Sequence, residues 1–233
     1  MTQNRSAAVM QQRSEPHDSL DDFPTPPWAT RAALQMLGMT TLTTCQTVRE
    51  PCANRGHMVK PLREVFSHVE AADIFDYGAG FAQADYLFGP PPPMVNWTFA
   101  NPPFRLADQF IRRALDTSRD GVAIFVRSAF TEGETRYQEL FRKFPPTAVL
   151  QFSERVVIHK GRLPNPNKPE PVIDKKTGAP KLHPKTGEIL MRKPSSATAY
   201  CWIIWKAGAN SNTIFDWIPP CREKLERPGD YPE

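Results

Sequence analysis

The run Gly121-Val122-Ala123-Ile124-Phe125-Val126 carries no polar side chain and no alternation. A strand of that composition has to be covered on both faces, which happens chiefly in parallel sheets with helices above and below. The surrounding sequence keeps the same rhythm. Further strands are expected around Thr47-Val48-Arg49-Glu50, from Val69 to Phe75, from Trp97 to Ala100, from Ala148 to Phe152 and from Tyr200 to Trp205. Between them fall helices over His57 to Phe66, Leu106 to Leu115 and Glu134 to Phe144. An earlier helix, with the stripe Ala33, Leu34 and Leu37, is started by a cap at or near Thr25 and stopped by Gly38. Alternating strand and helix units imply an α/β fold with a mostly parallel sheet.

The chain has 233 residues, enough to bury a full core. Residues 1–20 are polar and aperiodic and read as a loose amino-terminal arm. Residues 21–206 hold the alternating pattern, and 207–233 read as a carboxyl-terminal tail. One stretch breaks the rhythm. Residues 161–196 form a basic insertion rich in proline and lysine, and its two Lys-Thr-Gly steps read as hairpin turns. From Arg155 to Lys193 there are ten Lys/Arg against three acids, a local balance of +7 where the whole chain has only +4. Such a segment beside a ligand-binding sheet edge can meet phosphates. It can also be a solvated loop.

Composition narrows the class. The four cysteines form no CxxC pair and do not cluster with histidine, so neither a disulfide framework nor a zinc site is expected. The amino terminus has no apolar signal-like core, and no apolar stretch reaches membrane-spanning length. A soluble, cytoplasmic protein without a membrane partner is expected. Nothing in the sequence fixes an oligomeric state.

Chemistry concentrates at the expected strand ends. Asn101-Pro102-Pro103-Phe104 follows the strand Trp97 to Ala100, at the edge where open α/β sheets bind ligands. Asn101 offers an amide oxygen and Pro102 a carbonyl oxygen, the two prolines restrict the backbone, and Phe104 adds a flat apolar face. Together they describe a clamp for a planar group bearing an NH₂. Upstream, Glu50-Pro51-x-x-Asn54-x-Gly56 is a strand-to-helix turn whose Asn54 and Gly56 tolerate positive φ. It is not the glycine pattern of a dinucleotide site. Asp73 ends the next strand, where a carboxylate can accept from the two hydroxyls of a ribose.

In this order the elements resemble S-adenosylmethionine-dependent methyltransferases, and more narrowly the phage-type DNA adenine-N6 methyltransferases. The stretches that carry the resemblance are DDFPTPPWAT (21–30), EPCANRGHM (50–58), ADIFDYG (72–78), DYLF (85–88), NPPF (101–104), RVVIHKGRL (155–163) and SSATAYCWIIW (195–205). The resemblance implies a Rossmann-like class I fold with a seven-stranded sheet, S-adenosyl-L-methionine as cofactor, DNA as partner, no metal, and a bacterial, phage or prophage setting. It also implies roles. Phe23, Thr25 and Trp28 would close over the methionine end, Glu50, Asn54 and Gly56 would line the methionine and sugar, Asp73 would hold the ribose, and Asp85 the cofactor's adenine amine. Asn101, Pro102, Pro103 and Phe104 would hold a flipped-out target adenine. Asn54 departs from the glycine usual in that loop, which implies weakened but retained binding. Arg155, His159, Lys160 and Arg162 are candidates for substrate phosphates. The same clamp also fits adenine in RNA, a glutamine side chain, or a non-catalytic nucleic-acid binder of the same build.

Overall fold

The computed structural model describes residues 21–174, 177–209 and 212–232. The expected arm 1–20 lies outside them. The elements run α1 (Pro27–Met36), β1 (Thr43–Glu50), α2 (Val59–Leu62), β2 (Phe66–Asp73), β3 (Ala82–Gln83), β4 (Val95–Ala100), α3 (Ala107–Asp116), β5 (Ser118–Arg127), α4 (Glu134–Arg136), β6 (Ala148–Phe152), β7 (Glu170–Pro171), β8 (Met191–Arg192), β9 (Tyr200–Lys206), β10 (Ile214–Ile218) and α5 (Arg222–Leu225). One eight-stranded sheet has the order β10-β6-β9-β5-β4-β1-β2-β3. Its pairings are parallel except the two made by β9, which runs antiparallel to β5 and β6.

The sheet is mostly parallel, as expected, with one more strand than the seven anticipated. Two of its strands fall outside the six positions expected, β3 and, parallel to β6 from Ile214↔Ala148 to Ile218↔Phe152, β10. The latter comes from the stretch read as a tail. The same stretch supplies α5 and Asp230, whose carboxylate accepts from buried Arg31 of α1 at 2.6 and 2.9 Å. The expected helix from His57 shrinks to one turn. Pro61 lacks an amide hydrogen, so it fits the first turn of a helix starting at Val59 but not the interior of one starting at His57.

Successive residues of the central strands feed opposite layers, as the strand period demands. Ala123 and Phe125 of β5 and Tyr200, Trp202 and Ile204 of β9 join the layer under α1. Val122, Ile124 and Val126 with Cys201, Ile203 and Trp205 join the layer under α3. The Trp202 indole donates to the Ala29 carbonyl of α1 at 3.0 Å. Gly121 opens the buried run because a Cβ there would lie 2.4 Å from the Trp97 ring and 2.6 Å from the Trp205 carbonyl. The insertion sits apart from this core. β7 and β8 form their own antiparallel ribbon, extended by the bridges Ile173↔Pro180 and Leu182↔Ile189. Gly178 and Gly187 turn the chain at φ +72° and +74°.

Candidate active site

Chain order and sheet order part company at β1. Strands β2 and β3 lie to one side of it, while β4 and β5 lie to the other. Parallel strands diverging in this way leave a crevice beyond their carboxyl ends. A cavity of about 460 Å³ occupies that crevice, within the rough 300–1,000 Å³ of small-molecule sites. Its walls bring together Phe23, Thr25, Glu50, Asn54, Asp73, Asp85, Asn101 and Pro103, residues up to 80 positions apart in the chain.

The amide of Asn101 is held by its nitrogen. Nδ2 donates to the Phe23 carbonyl at 2.8 Å and to Thr25 Oγ1 at 2.9 Å. Both donor hydrogens are therefore used, which fixes the amide plane and leaves Oδ1 as an acceptor. Phe23 and Thr25 are themselves buried. The segment 21–25 acts as a strap across the site. Asp21 Oδ2 accepts from the Phe104 backbone at 2.9 Å, and Asp22 accepts from Asn54 Nδ2 at 2.8 Å and from Arg55 at 3.0 and 3.1 Å. The Asp22 carbonyl also receives Gly161 N–H at 2.8 Å. One five-residue strap thus joins the β1 turn, the clamp and the start of the insertion.

The β1 turn uses the backbone the sequence implied. Asn54 sits at φ +50° and Gly56 at φ +84°. The Asn54 amide donates to Asp73 Oδ2 at 2.9 Å, and Phe75 N–H donates to Oδ1 at 3.0 Å. These two bonds aim the carboxylate while leaving lone pairs free for hydroxyls. Gly56 does not line the cavity. A Cβ there would lie 2.9 Å from the Phe81 ring, so its role is to let that ring approach. Asp85, after β3, is an exposed part of the wall, with one oxygen accepting from Leu87 N–H at 2.9 Å.

Glu50 ends β1 at 1% exposure and accepts only from Cys52 N–H at 2.9 Å among described contacts. Burial, with the nearby Asp73 charge, pushes its carboxyl up to about 8. Burial likewise raises Asp73, against the pull of its backbone donors. His57, also on the wall, is lowered to about 4 by burial and by Arg55. The wall therefore carries the acidic groups of Asp21, Glu50, Asp73 and Asp85, a neutral imidazole, and Arg105 as its arginine.

Trp28 lies elsewhere. It is 1% exposed in the core, edge-on to Phe152 with ring centroids 5.5 Å apart, and forms no part of the cavity wall. Pro102 and Phe104 stand just outside the wall. Phe104 rests on Phe23, centroids 5.6 Å apart, with the Arg127 guanidinium 3.9 Å over its ring.

None of the four basic candidates lines the cavity, and Arg155, His159 and Arg162 are committed to partners of their own. Arg155 donates to the Ala197 carbonyl at 3.2 Å. Arg162 meets both oxygens of Glu170 at 2.7 and 2.6 Å and donates to His159 Nδ1 at 3.2 Å. His159 then carries its proton on Nε2, which donates to the Ser195 carbonyl at 3.1 Å. Lys160 is exposed beside them. Sequence reasoning gave no role to Asp21 and Asp22, although both open the quoted DDFPTPPWAT stretch, nor to Ile74, Tyr77 and Leu87 on the wall. It also missed Arg127, the residue that ends the apolar run of β5.

Among the described residues no group of three or more His, Cys, Asp or Glu is placed to hold a metal ion. No helix there is long and apolar enough to cross a membrane. No family model and no curated protein matches the sequence. Solved structures do. A protein of Pyrococcus horikoshii, provisionally described as an RNA methyltransferase, aligns at TM-score 0.52 and 14% identity over 85% of this chain and 94% of its own. A type I restriction-modification system methyltransferase subunit from Streptococcus thermophilus aligns at TM-score 0.53 and 12% identity, over 92% of this chain and only half of its own length. At these identities the likeness is one of fold, and the chain has the α/β methyltransferase fold.

Proposed function

We propose that the protein transfers a methyl group from S-adenosyl-L-methionine to the exocyclic N6 of adenine in DNA. The observation that carries this reading is Asn101, whose amide nitrogen is tied to Phe23 and Thr25 so that its oxygen is left as an acceptor. An acceptor-only clamp suits an amino group and not a carbonyl. The neighbouring cavity suits the cofactor: Glu50 and Asp73 supply carboxylates for a cationic methionine end and a ribose diol, and Asp85 an acceptor for an amine. When bound, S-adenosylmethionine supplies an electrophilic methyl group.

The chain's own part in the reaction is positioning and electrostatics. Adenine N6 is a poor nucleophile because its lone pair is delocalised into the ring. Asn101 Oδ1 and the Pro102 carbonyl accept its two hydrogens and favour the pyramidal nitrogen. Those hydrogen bonds strengthen as N6 gains positive charge, which is selective stabilisation of the transition state. The strap keeps both acceptors from reorienting, so little reorganisation accompanies the reaction. A base inside a duplex has to be flipped out first, at a cost of a few kcal/mol. Phe104 and the basic insertion favour a nucleobase over a protein glutamine.

The test is incubation with methyl-labelled S-adenosylmethionine and unmethylated duplex DNA, RNA or protein lysate, alongside Asn101→Ala. The expected result is label in DNA as N6-methyladenine, lost in the variant. Label confined to RNA or protein moves the substrate; no label with intact cofactor binding sinks the catalytic reading.

A further inference from the structure

Arg127 has no place in the reading above, yet it touches the ring that reading assigns to the target base. It ends β5, the strand beside β4, and so stands at the same sheet edge as Asn101. Its guanidinium carbon is 3.9 Å from the Phe104 centroid and 6.0 Å from that of Phe23, while the two rings are 5.6 Å apart. These distances put the guanidinium over the face of Phe104 and the Phe23 ring toward its edge. The cation thus lies where a flat base would stack.

This stacked arginine is also poorly satisfied. Its Nε is buried without a hydrogen-bond partner among the described residues, which is an unfavourable state for a group built to donate through a planar fork. Arg31, Arg49 and Arg136, by contrast, each meet a carboxylate. A cation held by a ring face alone is weakly held, and guanidinium is well matched to a phosphate. An entering nucleotide brings both a competitor for the ring and a phosphate for the fork.

We propose that Arg127 exchanges with the target base, lying on Phe104 in the free protein and moving onto a backbone phosphate of the nucleic acid when adenine enters the clamp. The inference rests on the proposed function, and the two can fail separately. Binding of oligo(dA) and of oligo(dT), equal in length and single-stranded so that no base has to be flipped from a duplex, is measured against salt with S-adenosylhomocysteine present. Each phosphate contact adds about 0.7 to the slope of log K against log salt on single strands.

For Arg127→Ala the slope on oligo(dA) is expected to fall by about that one contact, and the slope on oligo(dT) to stay as in the unmodified protein. Arg127→Lys, which keeps a point charge, restores the oligo(dA) slope. Unchanged slopes on both strands overturn the proposal and leave Arg127 as packing. Equal losses on both overturn the exchange and leave a plain surface cation. If the unmodified protein binds neither strand, the proposed function falls as well. Cofactor affinity serves as the folding control, because Arg127 does not line the cofactor cavity.

Discussion

The rim of the crevice and the basic insertion are built on opposite principles. In the rim, polar groups are assigned: Asp21, Asp22, Phe23 and Thr25 each hold a named atom of the clamp or of the β1 turn. In the insertion the hydrogen bonds are mostly local to its ribbon, and Ile173, Leu182, Ile189 and Met191 stay between 49 and 61% exposed. The rim is preorganised, as positioning chemistry requires, while the insertion rests little on the core and can adapt to a partner. On the proposed function this difference is a division of labour, with small-molecule binding and catalysis in the rim and engagement of a large polyanion outside it.

Removing the insertion tests that division most severely. Deletion of residues 165–193 is expected to abolish methylation of DNA while cofactor affinity stays within about twofold, since no residue of that span lines the cavity. Equilibrium cofactor binding and label transfer measure the two halves separately. Cofactor affinity lost along with methylation would make the insertion part of the fold and end the comparison.

Next in size is Asn101→Ala. Loss of one preorganised group at a site of developing charge costs roughly 10²–10³ in turnover, and cofactor binding should change little. The variant also strips a donor from Phe23 O and Thr25 Oγ1, so Asn101→Asp is the informative partner. It keeps an acceptor but gives up both donor hydrogens, and Thr25 Oγ1 has to turn its own hydrogen toward the new carboxylate. If the strap depends on the Asn101 amide, Asp should be nearly as poor as Ala. An Asp variant with near-normal turnover would show that the strap holds itself.

Asp73→Asn sharpens the rim from the other side. Hydrogen bonds to a charged group contribute about 1.5–3 kcal/mol, so a lost carboxylate should weaken cofactor binding by roughly 10- to 100-fold. Turnover at saturating cofactor should hold. A fall in turnover with unchanged affinity would remove Asp73 from the cofactor and make it a support of the β1 turn alone.

How much of this was open to a reader of the sequence depended on how local the cause was. The β5 run and the strand Ala148–Phe152 were legible because burial on two faces leaves an uninterrupted apolar signature. β10 was not, because an edge strand with four of its five residues exposed has no such signature. Glu50, Asp73 and Asn101 could be placed because each directly follows or ends a strand, and parallel strands end together. The strap could not. Its bond from Phe104 to Asp21 spans 83 residues and rests on a single carboxylate oxygen. The stacking of Arg127 on Phe104 is likewise set by which strands are neighbours, and Trp28 turned inward because α1 packs its first turn on the core.

The last expected effect within the rim concerns the charge of Glu50, and its sign follows from burial. The folded protein holds this carboxyl at about 8, against an ordinary 4.5. The unliganded fold therefore binds this proton more tightly than the unfolded chain does, and the stability it contributes is lost as pH rises from the ordinary value toward about 8. A cationic methionine end needs the ionised form. Binding below the folded value has to expel the proton, so affinity should improve up to tenfold per pH unit and level off near it. The cofactor's own α-amino group titrates in the same window, at about 7.7–8.0. The decisive quantity is thus the ratio of affinities between the unmodified protein and Glu50→Gln, in which the ligand's titration cancels. That ratio should climb from pH 6 to 8 and then flatten, with proton release seen calorimetrically in the unmodified protein alone. A ratio that is constant across the range would mean Glu50 stays protonated in the complex, and the cationic end of the ligand would have to lie against another group of the rim.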